Sequence, residues 1–94
     1  MMGWCAVAGG TVVGFSLVFV EEREVNALFV DPQAEGCGTG SRLLDAATEW
    51  LRMQAKGAIR LCTGTDTPAY QFYLRRGWQD TGLEYEFGRV LELE

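Results

Sequence analysis

The sequence predicts a mixed α/β domain, an α+β arrangement in which helices pack on a mixed sheet. Three observations predict it. Two runs of Val, Phe and other strand formers flank Gly9-Gly10, the pattern of an antiparallel hairpin. Over residues 41–56 the apolar period changes to steps of three and four, which marks a helix lying on a sheet. A short buried strand pattern follows at residues 59–63, and strand, helix, strand in that order implies a parallel, right-handed crossover.

Residues 4–8 and 11–20 form the first two strands, with Gly9 and Gly10 supplying the positive φ of the turn. Glu21, Glu22 and Arg23 are too polar to bury and make a second turn. Residues 24–30 then form a third strand, which ends at Asp31-Pro32 because proline has no N–H to give a ladder. In the first helix Leu43, Leu44, Ala47, Trp50 and Leu51 share one face, Arg42, Asp45, Glu49 and Arg52 fall largely on others, and Gly57 suits its C-terminal cap. Asp66 is a candidate N-cap for a second helix that carries Pro68 in its first turn, runs to Arg76 and stops at Gly77. Beyond Trp78, Leu83, Tyr85 and Phe87 alternate with Glu84 and Glu86. That alternation predicts a strand with one wet face extending toward Leu93. No repeat, linker or low-complexity tract interrupts the chain, so residues 1–94 are expected to form a single domain.

Composition closes several routes to function. The 94 residues include 8 Lys+Arg, 13 Asp+Glu and no His, for a net charge of −5 at pH 7. Without imidazole there is no Ser-His-Asp or Cys-His nucleophile and no His-ligated metal. Proton transfer falls to a carboxylate, a tyrosine, Lys56, a thiol or water. Arginines scattered from Arg23 to Arg89 do not make the basic patch that nucleic acid needs. Cys5, Cys37 and Cys62 are an odd set without C-x-x-C, which predicts neither a disulfide framework nor a thiolate metal site and suits a reducing cytoplasm. The apolar opening lacks a basic start and is broken by Gly9, Gly10 and Gly14, so neither a signal peptide nor a membrane span is expected.

The chemistry-bearing stretch is Val30-Asp31-Pro32-Gln33-Ala34-Glu35-Gly36-Cys37-Gly38-Thr39-Gly40-Ser41-Arg42-Leu43-Leu44, a glycine-rich loop between a strand and a helix. Alternate glycines let successive backbone N–H groups converge on an anion at the helix N-terminus, where donors lack partners and the dipole is positive. The alternative is that the glycines merely turn the chain. The Walker pattern fails because no Gly-Lys-Ser/Thr follows, and the dinucleotide fingerprint fails because Ser41 stands where its third glycine belongs.

Val-Asp-Pro, the glycine loop and Leu43-Leu44 resemble motif A of the GNAT superfamily of N-acetyltransferases. Asp66-Thr67-Pro68-Ala69-Tyr70-Gln71-Phe72-Tyr73-Leu74-Arg75-Arg76-Gly77-Trp78 resembles motif B of the same family. The resemblance covers essentially the whole chain and begins partway into the family fold, without the usual first strand and two helices. It implies acetyl-CoA as co-substrate, no metal, and a small-molecule or peptide amine as acceptor. The backbone of Phe29 and Val30 would pair with the pantetheine arm, and the N–H groups of Gly36, Cys37, Gly38, Thr39, Gly40 and Ser41 would hold the pyrophosphate. Glu35 stands where the family's loop opens with Arg or Gln, and Asp66 where motif B has Asn, so both belong to the expected coenzyme A site.

Tyr73 would protonate the departing thiolate as general acid, though a half-buried core tyrosine fits the same position. Glu24, six residues before Val30 on the third strand, is the candidate base, and it fits the solvated turn beside it equally well. The expected activity is thus acetyl transfer to a primary amine by direct attack. The alternative is a non-catalytic acyl-CoA-binding or protein-interaction module, which Glu35, Asp66 and the absent elements favour. An uncovered edge strand would favour pairing of two chains as a homodimer.

Overall fold

The computed structural model describes residues 1–94 except Cys37 and Ala55. The chain forms two compact units, Met1–Lys56 and Gly57–Glu94.

In the first unit, strands β1 (Met2–Ala8), β2 (Thr11–Phe19) and β3 (Glu24–Val30) form an antiparallel meander. The β1–β2 turn has Gly9 at φ 57° and Gly10 at φ 81°, the left-handed pair that a two-residue hairpin needs. A single 3-10 turn, Pro32–Ala34, leads to helix α1 (Thr39–Gln54). The helix starts two residues before the expected position, so Thr39 and Gly40 belong to its first turn and not to the loop. It also ends at Gln54, which leaves Gly57 in a bend three residues on and not at the cap.

Helix α1 buries Leu43, Leu44, Ala47, Thr48 and Leu51. These join Val18 and Val25 in the core of this unit. Ser16 is wholly buried, and its hydroxyl donates to the Leu43 carbonyl at 3.2 Å. Arg23 Nη1 donates to the Leu51 carbonyl at 3.2 Å, so the helix is tied to β2 near its start and to the β2–β3 turn near its end. Gly14 sets the closeness of the seat. A Cβ there would stand 2.8 Å from the Phe29 carbonyl oxygen and 3.0 Å from Leu43 Cδ1.

In the second unit, β4 (Ile59–Thr63) pairs antiparallel with β6 (Gly88–Leu93), and β6 with β5 (Gln79–Tyr85). Helix α2 (Pro68–Arg75) lies between β4 and β5 in the chain. Ile59, Leu61, Tyr73, Trp78, Val90 and Leu91 are buried. The single strand expected after Trp78 is a hairpin, because Gly88 at φ 128° turns the chain back. A Cβ on Gly88 would lie 2.7 Å from the Thr63 carbonyl oxygen, which excludes any other residue there. Leu83, Tyr85 and Phe87 are consequently exposed near the hairpin turn and do not form a buried face.

Gly14→Ala should destabilise the chain by about 1–3 kcal/mol, the usual cost of forcing a methyl into a closed space. Urea unfolding reads this directly, and an unchanged midpoint would show that α1 does not depend on that close approach.

Candidate active site

The glycine loop is built by two local devices. Asp31 Oδ1 accepts from the Gln33 N–H at 2.9 Å and opens the 3-10 turn, and the Glu35 N–H closes that turn on the Pro32 carbonyl at 3.4 Å. Gly36 at φ 85° and Gly38 at φ 78° then take conformations that a side chain resists. A Cβ at either would meet nothing. Backbone conformation, not crowding, therefore selects glycine at both.

The Arg42 N–H donates to the Gly38 carbonyl at 3.1 Å and so makes the first bond of the α1 ladder. The N–H groups of Thr39, Gly40 and Ser41 precede it, and helix geometry gives them no partner within the helix. No acidic residue occupies that first turn. Three donors at the positive end of a four-turn dipole, approached through glycines, suit a phosphate or pyrophosphate. Glu35 lies exposed just ahead of this end, and Cys37 falls outside the described residues.

On β3, Val30 is opposite Gly14, and Phe29 is opposite Phe15, on whose ring it stacks at 5.7 Å with 29° between planes. Glu24 stands at the far end of this strand, roughly 20 Å from Val30 at the rise of an extended chain. Its partner across the sheet is Phe19, four residues from Phe15, so Glu24 and Phe29 share the face turned away from α1. Glu24 is half-buried, and Oε1 accepts from Asn26 Nδ2 at 3.3 Å. The pairing of β2 with β3 passes from Ala27 to Val25 and skips Asn26. Asn26 is thus a bulge residue, a device that re-aims neighbouring side chains. Nothing in the local sequence marks it.

In the second unit, Thr67 and not Asp66 caps α2. The Thr67 hydroxyl accepts from the Tyr70 N–H at 3.3 Å and donates to the Gly64 carbonyl at 2.7 Å. One group so serves both sides of the helix start, which leaves Asp66 exposed outside it. Tyr73 is 8% exposed and packs edge-on against Phe72 at 5.5 Å and Trp78 at 5.9 Å. Burial raises the pKa of its hydroxyl above the ordinary 10.0. At neutral pH the group is held neutral and able to donate a proton. Tyr70, one turn earlier, donates its hydroxyl to Asp80 Oδ2 at 2.7 Å, a contact that the sequence does not disclose. Among the described residues no three His, Cys, Asp or Glu side chains gather as metal ligands, and no helix is long and apolar enough to cross a membrane.

A family model described as an acetyltransferase (GNAT) domain matches residues 2–80. A mycothiol acetyltransferase of Pseudarthrobacter chlorophenolicus is 34% identical over 94 residues, which covers 90% of this chain and 29% of that protein. A mycothiol acetyltransferase of Clavibacter sepedonicus is 31% identical over 86 residues, covering 88% of this chain and 28% of its own length. The chain therefore spans less than a third of these relatives. Among solved structures, Naa50 of Arabidopsis thaliana in complex with a bisubstrate analogue superposes with a TM-score of 0.84 at 21% identity, over 98% of this chain and 72% of that one. The PaiA N-acetyltransferase of Thermoplasma acidophilum in complex with coenzyme A gives 0.82 at 18% identity, over 99% and 60%. At these identities the two structures establish the fold.

The raised pKa of Tyr73 makes stability depend on alkaline pH. The folded state holds this proton more tightly than the unfolded chain, so the contribution is whole below pH 10 and is lost as pH climbs through the raised folded value. The unfolding free energy should decline above pH 10, and Tyr73→Phe should flatten that decline in denaturant titrations at stepped pH. Tyr70, also raised, chiefly by its hydrogen bond to Asp80, retains its own part of the decline. A wild-type slope in Tyr73→Phe would contradict the burial effect.

Proposed function

Because this chain belongs to the GNAT family of acetyltransferase domains, we propose that it transfers an acetyl group from acetyl-CoA to a primary amine by direct attack, with Tyr73 as general acid. The observation that carries this reading is the loop. Two glycines at positive φ lead into the N–H groups of Thr39, Gly40 and Ser41 at an acid-free helix start. These groups, with the N–H groups of Gly36 and Gly38, bind the pyrophosphate of coenzyme A. Glu35 is exposed, and solvent screening limits its repulsion to less than about 1 kcal/mol. The backbone of Phe29 and Val30 receives the pantetheine arm in the manner of an added strand.

When bound, acetyl-CoA supplies the thioester carbonyl at which the C–N bond forms and the C–S bond breaks. The Tyr73 hydroxyl gives its proton to the departing sulfur, for which it is suited by staying neutral at working pH. Glu24 takes the proton that the amine must lose, directly or through water. Asn26 orients the Glu24 carboxylate through its 3.3 Å hydrogen bond.

Thiol release from acetyl-CoA across a panel of primary amines tests this assignment. Tyr73→Phe should lower kcat by about 10²-fold, the lower range for loss of a general acid. Glu24→Gln should also lower kcat, with the KM for acetyl-CoA little changed. Wild-type kcat in the first variant would remove Tyr73 from the chemistry, and wild-type kcat in the second would remove Glu24.

A further inference from the structure

Helix α2 has eight residues, far fewer than an isolated helix needs to persist in water. Its orientation is set by what holds it. Thr67 fixes its start, and Tyr73 seats it through its edge-on ring contact with Trp78. Edge-on ring contacts are tolerant, remaining favourable over a centroid range of about 4.5–7 Å. Packing alone therefore leaves the helix some freedom to roll and slide. A short hydrogen bond does not, because it weakens steeply with angle and distance.

Such a bond is present one turn before Tyr73. Tyr70 Oη donates to Asp80 Oδ2 at 2.7 Å. Asp80 is itself fixed from two further sides. Arg89 Nη1 donates to Oδ2 at 2.9 Å and to Oδ1 at 3.1 Å, and the Gly82 N–H donates to Oδ1 at 2.8 Å. Gly82 sits at φ 79° where the pairing of β5 with β6 is interrupted between Asp80 and Glu84, and the Thr81 hydroxyl ties that interruption to the Val90 carbonyl at 2.8 Å. The Asp80 and Arg89 side chains are 23% and 26% exposed, so this ion pair is partly withdrawn from solvent. Arg89 Nε lies 3.8 Å from Glu84 Oε1 on its other side.

We infer that Tyr70, Asp80 and Arg89 form a positioning clamp for Tyr73, in which the carboxylate held by Arg89 fixes the Tyr70 hydroxyl and thereby the roll of helix α2. Residues three apart on a helix lie about 60° apart around its axis and about 4.5 Å apart along it. Fixing the tip of Tyr70 therefore fixes the direction of Tyr73 as well. The ionised Asp80 can only accept, so the Tyr70 proton must point at it and the bond has one polarity. This inference rests on the assignment of Tyr73 as general acid. Tyr70 touches no reacting atom in this account and acts through Tyr73.

A double-mutant cycle on acetyl transfer tests it, using wild type, Tyr70→Phe, Tyr73→Phe and the double variant, each assayed well below its melting temperature. Tyr70→Phe keeps the ring and removes the bond. It should lower kcat by about 10-fold, within the loss that a displacement of order 1 Å produces, and leave the KM for acetyl-CoA within about twofold. In the Tyr73→Phe background the same change should cost nothing further, since residues acting as one unit are non-additive. Asp80→Asn, which keeps an acceptor for Tyr70 but frees Arg89, should fall between wild type and Tyr70→Phe. Unchanged kcat in Tyr70→Phe would overturn the clamp. So would a loss that repeats in full without the Tyr73 hydroxyl, because it would mark a contact acting independently of Tyr73. If Tyr73→Phe itself has wild-type kcat, the general-acid assignment fails and the clamp with it, a result distinct from the other two.

Discussion

The close seat of helix α1 on strand β2 is the constraint from which the first unit follows. Gly14 has no room for a Cβ between the Phe29 carbonyl and Leu43, and the buried Ser16 hydroxyl is satisfied by the Leu43 carbonyl. Both contacts act near the start of the helix. They fix where its first turn begins, and so where the N–H groups of Thr39, Gly40 and Ser41 are presented. A buried hydroxyl without such an acceptor would cost about 1–3 kcal/mol, so the polar contact and the glycine gap specify one register of helix on strand. On the proposed reading, the anion site at the loop is a consequence of that register.

Under the proposed chemistry the second unit has different requirements, those of holding one hydroxyl neutral and in place. Burial beside Phe72 and Trp78 accounts for the first requirement, since an ionised phenol among aromatic rings loses its hydration. The Thr67 cap and the Tyr70–Asp80 bond address the second. Neither contact is large in free energy. Their value lies in geometry, because a two-turn helix has no stiffness of its own to aim a side chain.

The regular elements were largely legible in the sequence, and the reasons for the misses are local. Strands β3 and β4 have the bounds that hydrophobic patterning predicts, because each is stopped by polar residues, glycine or proline. Helix α1 begins earlier because the free donors of a helix start accept Thr39 and Gly40, which periodicity counts as loop. Asp66 and Thr67 are adjacent and both good caps, and only the carbonyl of Gly64 decides between them. The alternation from Leu83 to Phe87 runs unbroken through a turn, so period alone joined β5 to β6, while Gly88 carried the only local sign of the reversal. Of the candidate site, the glycines, Phe29, Val30, Glu24 and Tyr73 were visible as residue types at meaningful spacing. Asn26 and the Tyr70–Asp80–Arg89 contacts were not, because a bulge and a hydrogen bond ten residues apart leave no periodic trace.

The central claim is that the loop from Gly36 to Ser41 binds a coenzyme A pyrophosphate despite a net charge of −5. Calorimetric titration of the chain with acetyl-CoA, repeated at low and high salt, tests it most directly. The account predicts saturable heat with one site per chain and an affinity that falls as salt screens the phosphate contacts. No heat at high acetyl-CoA concentration would contradict it.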